Sequence, residues 1–155
     1  MNLSNRRTCG GFTLVELVLV ILIGGVLAAV AVPRMVDRSA FQTRGGAAEV
    51  RTALRYAQRL AMAKNREVCV TTTASNLTLT FNPSAVAGAA CSQAVIRPDG
   101  SSPTYIAALA AGITLTPVAP FRFDTQGRPS PNIPVNMTVG GIILINVARE
   151  TGYVQ

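Results

Sequence analysis

From Phe12 to Val32 the chain is an apolar run in which Glu16 is the only charged residue. A helix of about 20 such residues matches the hydrocarbon thickness of a bilayer, so this stretch predicts a single membrane span. Glu16 does not suit a plain anchor, because a carboxylate at the centre of a span costs roughly 2.5–3.5 kcal/mol on insertion scales. The cost is smaller near an interface, and an intramembrane acid points to a function and a partner. Cleavage between Gly11 and Phe12 would create an amino group four residues from Glu16, on the same helical face. The pair could then form within one chain, or between Glu16 of one helix and the amine of its neighbour.

Charge and cysteine placement orient the rest. The chain has 14 basic and 7 acidic residues and a net charge of +7. Arg6 and Arg7 precede the span, which keeps the leader cytoplasmic and sends the C-terminal part outward. Without that leader the charge is 12 − 7 = +5. If the chain is cut after Gly11, Cys9 leaves with residues 1–11, while Cys69 and Cys91 remain as an even pair on the oxidising side, where a disulfide is the expected state. It would contribute about 3 kcal/mol on a chain-entropy estimate.

After the span, Ala47, Val50, Leu54, Ala57 and Ala61 recur at spacings of three and four, the apolar face of an amphipathic helix. Gly45-Gly46 is expected to kink or loosen it. Arg44, Arg51, Arg55 and Arg59 form a basic row on another face. The row suits either a polyanion such as DNA or a solvated helix face paired with acids on neighbouring subunits. Short apolar-polar runs follow and predict strands at 67–72, 77–81, 94–97, 113–118, 121–124, 135–139 and 142–147. The stretch 105–111 fits strand or short helix, and Ser75-Asn76, 98–103, 126–129 and 149–152 read as turns. The fold class is therefore α+β: a long N-terminal helix with a membrane-spanning first half, packed on a small antiparallel β-sheet head. The expected segments are a leader 1–11, a transmembrane half 12–33, an amphipathic half 34–66 and a β-rich head 67–155.

Enzymatic chemistry has little to build on. There is no histidine, so neither a Ser-His-Asp nor a Cys-His site can form. The seven acids are scattered, no phosphate-cradling glycine loop precedes a Lys-Ser/Thr, and no cysteine pair has metal-ligand spacing. No catalytic residue, metal or cofactor is expected.

The Gly10-Gly11-Phe12-Thr13-Leu14-Val15-Glu16-Leu17 run, behind a short basic leader, resembles the prepilin signature of type IV pilins and pseudopilins. The resemblance implies that a prepilin peptidase cuts after Gly11, that Phe12 becomes N-methylated, and that Glu16 guides subunits into a filament in the inner membrane. It places the head in the bacterial periplasm and names other pilin or pseudopilin subunits as partners. It also implies that the helix between Gly25 and Pro33 loses order on assembly. The Phe121–Pro129 segment (F-x-F-x-x-x-G-R-P) and the closing Thr151–Val154 (T-G-Y-V) look like the GspH/FimT-like minor pilins and pseudopilins. Ala31–Met35 and the cysteine pair look like the MSHA-type, MshC-like members. Members of this group that take up DNA carry a C-terminal G-R-x-R motif, whose arginine positions are occupied by other residues in Gly152-Tyr153-Val154-Gln155. The function implied is a structural and assembly subunit of a type IV pilus; the alternatives are a type II secretion pseudopilin and a DNA-uptake minor pilin.

Overall fold

The computed structural model describes residues 12–155, and their side chains except those of 30–38. The expected leader, with Arg6, Arg7, Cys9 and the Gly11 side of the cleavage site, lies outside the described residues. The described chain divides at Arg38/Ser39 into two compact units, and each is taken by itself.

One helix, α1 (Leu14–Lys64), accounts for all of the helical structure among the described residues. Its start has a local cause. Thr13 stands just outside the helix and its Oγ1 accepts the Glu16 N–H at 3.3 Å, which satisfies one of the amide donors that every helix start leaves open. The first helical bond runs from Leu17 N–H to the Thr13 carbonyl. The other end is equally explicit. Asn65 sits at φ 49°, its N–H donates to Met62 O, and the Arg66 N–H donates to Ala61 O. This is the paired bonding of a Schellman cap with Asn in the left-handed position. The helix thus stops two residues before the expected boundary at 66.

In the C-terminal unit the eight strands are antiparallel and short. Sheet A has the order β3-β2-β1-β5-β6, from β1 (Val68–Thr72), β2 (Asn76–Phe81), β3 (Gln93–Ala94), β5 (Phe121–Phe123) and β6 (Pro129–Ser130). The short β4 (Ile106–Ala108) shares the outer edge of β2 with β3, pairing Leu77 with Ala107 while β3 pairs Ala94 with Thr80. Sheet B is the hairpin of β7 (Val135–Val139) and β8 (Ile143–Val147), in register from Val135↔Val147 to Val139↔Ile143.

Period-two alternation aims one face of each strand inward: Val68 and Val70, Leu77 and Leu79, Phe121 and Phe123, Met137 and Val139, Ile145 and Val147 are all buried. They join Ala47, Val50, Ala53, Leu54, Ala57 and Ala61 of α1 in one core. The alanines allow the helix axis to approach the strands closely, and Leu54 and Val50 fill what remains.

Three expectations need correction. Segment 113–118 is not a strand: only Leu115 bridges β7, at Val139. Leu115 N–H donates to Ala74 O while Thr116 N–H donates to Thr138 O, so the segment divides its bonds between two neighbours and forms no ladder. Segment 94–97 shrinks to β3, because Val95 turns its N–H to Leu79 O and its carbonyl to Tyr105. Pro129, read as part of a turn, opens β6 opposite Phe123, an edge position where a missing N–H does no harm. Gly45-Gly46, expected to kink or loosen the helix, lies inside a continuous α1. At Gly46 a Cβ would meet Leu109 Cδ2 at 2.9 Å, so this glycine admits a core side chain. The ambiguous 105–111 stretch resolves as β4.

Candidate functional site

Four places are candidates for function, and the first is the helix start. Glu16 lies in the first turn of α1, where a carboxylate is favoured by the partial positive charge of the helix end. Thr13-Leu14-Val15-Glu16 has the spacing of a capping box, a signal that the sequence reading passed over. From Phe12 to Leu27 the large apolar side chains are all exposed, Phe12 by 79% and Leu22 by 64%. An apolar surface of this extent marks a site that something else covers. Among the described residues no helix is long and apolar enough to cross a membrane; the described side chains of the apolar run stop at Ala29.

The basic row is not uniform. Arg51 Nη2 donates to Leu144 O at 3.4 Å and Arg55 Nη2 to Val154 O at 3.1 Å, so two of the four fasten α1 to sheet B and the chain end. Arg44 and Arg59 are exposed and have no polar partner among the described residues. The structure therefore brings the row together on one helical face but engages its middle members internally.

The third place is a junction that sequence reading missed. Gln58 Nε2 donates to Gly127 O at 3.1 Å and to Thr151 O at 2.8 Å. These carbonyls belong to the two motifs at Phe121–Pro129 and Thr151–Val154, and lie 151 − 127 = 24 residues apart in sequence. Gly127 and Gly152 have φ of 78° and 66°. A Cβ on Gly152 would collide with the Gly127 carbonyl, so both turns require glycine for conformation and for closeness. A glutamine between Arg55 and Arg59 was the only sequence sign of this contact.

The fourth is the loop after β2. Cys69 and Cys91 are bonded, with Cα atoms 6.1 Å apart. The loop is also held by Glu67, only 9% exposed. Its Oε2 accepts the Gly88 N–H at 2.8 Å, Arg122 Nη1 at 3.1 Å and Asn82 Nδ2 at 3.3 Å. Burial pushes the Glu67 carboxyl up, but the Gly88 amide, Arg122 and Asn82 outweigh it and hold it below the usual carboxylate range. Among the described residues no three His, Cys, Asp or Glu side chains gather as metal ligands.

Against known proteins, residues 6–32 match the prokaryotic N-terminal methylation motif. A comparison with curated protein sequences finds no match. Two crystal forms of the type IV minor pilin FimU of Pseudomonas aeruginosa PAO1 are similar in structure. The first aligns with a TM-score of 0.55 at 16% identity over 76% of this chain and 89% of that one. The second gives 0.51 and 13% over 72% and 90%. The chain thus has the α+β pilin fold and carries the N-terminal methylation motif of prepilins.

Proposed function

We propose that this protein is a minor pilin, a structural and assembly subunit of a type IV pilus rather than an enzyme. The observation that carries the reading is a coincidence of position. The methylation motif spans 6–32, and within it α1 begins at Leu14 and exposes every large apolar side chain from Phe12 to Leu27. Such a surface is stable only in lipid or against other helices. In this reading residues 1–11 are removed after Gly11, and Phe12 becomes the methylated N-terminus. The apolar half of α1 crosses the inner membrane, the remainder lies in the periplasm, and Glu16 neutralises the amine of a neighbouring subunit. The GspH/FimT-like assignment rests on the Phe121–Pro129 and Thr151–Val154 motifs, and the MSHA-type one on Ala31–Met35 and the cysteine pair. Their meeting beneath Gln58 gives them a structural reason to occur together.

Co-expression with a prepilin peptidase, followed by mass spectrometry, is expected to show loss of residues 1–11 and one methyl group on Phe12. An intact N-terminus would remove the reading. Glu16→Ala should insert into the membrane normally and fail to enter filaments. Normal incorporation would reduce Glu16 to a helix-start residue, acting only through the local electrostatics of the first turn.

A further inference from the structure

In the unit Ser39–Gln155 every acid is already engaged. Glu49 and Asp99 pair with Arg97, Glu67 with Arg122, Asp124 with Arg128, and Glu150 with Arg149. These partners lie on loops and strands. The unit contains five acids and ten basic residues by sequence, so six cations remain: Arg44, Arg51, Arg55, Arg59, Lys64 and Arg66. All of them lie on α1 or just past its cap. At 100° per residue, Arg44, Arg51, Arg55 and Arg59 fall within an arc of about 80° and span about 22 Å of helix. Four of the six uncommitted cations therefore form one stripe on one helix, while Lys64 falls on the opposite face, over Phe81.

We propose that this stripe docks an acidic surface of a different protein subunit. The proposal rests on the assembly reading above and names the partner's chemistry. A second copy fits less well, because each side-chain acid of its residues 39–155 is already ion-paired within its own unit and it would present the same positive stripe. Nucleic acid fits less well for two reasons. Arg51 and Arg55 already donate to Leu144 O and Val154 O, which leaves only the two ends of the row, Arg44 and Arg59, about 22 Å apart, for phosphates. Of the nearby aromatics, Tyr56 stacks on Tyr105, with ring centroids 5.3 Å apart, and Phe81 lies under Lys64. On the stripe's face of α1 that leaves Phe41, exposed one turn before Arg44, a single ring rather than a platform for successive bases. Charge complementarity of this kind selects partners and speeds their encounter more than it adds affinity, which suits a subunit that takes one particular place among others.

The test uses the full chain in detergent micelles, with labelled poly-L-glutamate and a short DNA duplex as probes. Fluorescence anisotropy is read at low and at physiological salt. Arg44→Gln/Arg59→Gln should weaken poly-glutamate binding about tenfold. Arg128→Gln/Arg149→Gln, which removes the same formal charge from paired positions, should change it less than about twofold. Four outcomes would overturn the proposal. These are no salt-sensitive binding of poly-glutamate, equal losses in the two variants, tighter binding of the duplex with the same dependence on Arg44 and Arg59, or self-association that depends on them. Leader removal, read by mass spectrometry on the same samples, separates the two readings. An unprocessed wild-type chain would defeat the pilus assignment and leave the binding result standing.

Discussion

The two units of this chain treat apolar side chains in opposite ways. In Phe12–Ala29 they are exposed on all sides of the helix, whereas in Ser39–Gln155 twenty-three apolar residues are buried in a single core. The first region depends on its surroundings, because its only described internal order is a helix with a capped start. The second closes on itself, with its acids paired and its turns tied to α1. In the proposed assembly reading the exposed apolar residues meet lipid or neighbouring helices, while the second unit keeps its own core. The difference predicts that substitutions in the C-terminal unit change stability, whereas those in the apolar run change location and assembly.

The largest effect is expected at Gly152. A valine there would adopt a left-handed backbone at φ 66° and place its Cβ against the Gly127 carbonyl. Backbone strain and overpacking together predict a loss on the order of 4 kcal/mol. It would be seen as a lower urea midpoint of tyrosine fluorescence in the full chain in micelles. Retention of the wild-type midpoint would mean that Gln58 does not hold the two turns together.

A paired truncation measures the contrast directly. Leu54 is fully buried and Leu22 is 64% exposed. Leu54→Ala should cost about 3 kcal/mol by the same urea measurement, while Leu22→Ala should stay within about 0.5 kcal/mol. If both leucines lowered the midpoint equally, the C-terminal unit would not be self-sufficient, and the comparison between the regions would fail.

The same contrast governs what could be read from sequence. The helix-start motif is local: Gly11, Phe12, Thr13 and Glu16 stand next to one another, and the apolar run needs no tertiary information. The inner face of α1 was legible because Ala47, Val50, Leu54, Ala57 and Ala61 repeat with the helical period. The hairpin at 135–147 was legible because Val135, Met137 and Val139 alternate with polar residues. Segment 113–118 alternates too, yet it lies between two hydrogen-bonding neighbours, and period alone does not reveal a strand without an edge to pair with. Gln58 and the Gly127–Gly152 approach were hidden for the related reason that they join positions distant in sequence. The basic row was visible as a pattern, but Arg51 and Arg55 reach carbonyls that no spacing rule locates.

Acid sharpens the distinction further. Glu67 is held below the usual carboxylate range in the folded unit, so its contribution is present above the unfolded carboxylate pKa and is lost as pH falls through the folded value. The urea midpoint should therefore decline on acidification, and Glu67→Gln should flatten that decline. Limited proteolysis should show loop 83–90 opening first, although Cys69–Cys91 still tethers its end. An unchanged pH profile in the variant would assign the acid sensitivity to the other paired carboxylates.

A small effect of opposite sign falls on adjacent glycines of α1. A Cβ at Gly45 meets nothing within 4 Å, whereas at Gly46 it meets Leu109 Cδ2 at 2.9 Å. Gly45→Ala should raise stability by about 0.5–1 kcal/mol, the usual helical gain of alanine over glycine. Gly46→Ala should gain little, because the Leu109 methyl has to give way. Gly45 thus forgoes stability that the isolated chain could have, on an exposed helical surface one residue from Arg44. If Gly45→Ala stabilises the unit yet lowers incorporation into filaments, the missing side chain serves the close approach of a neighbour. If incorporation is unchanged, Gly45 plays no part in subunit contact, and the docking surface narrows to the arginines alone.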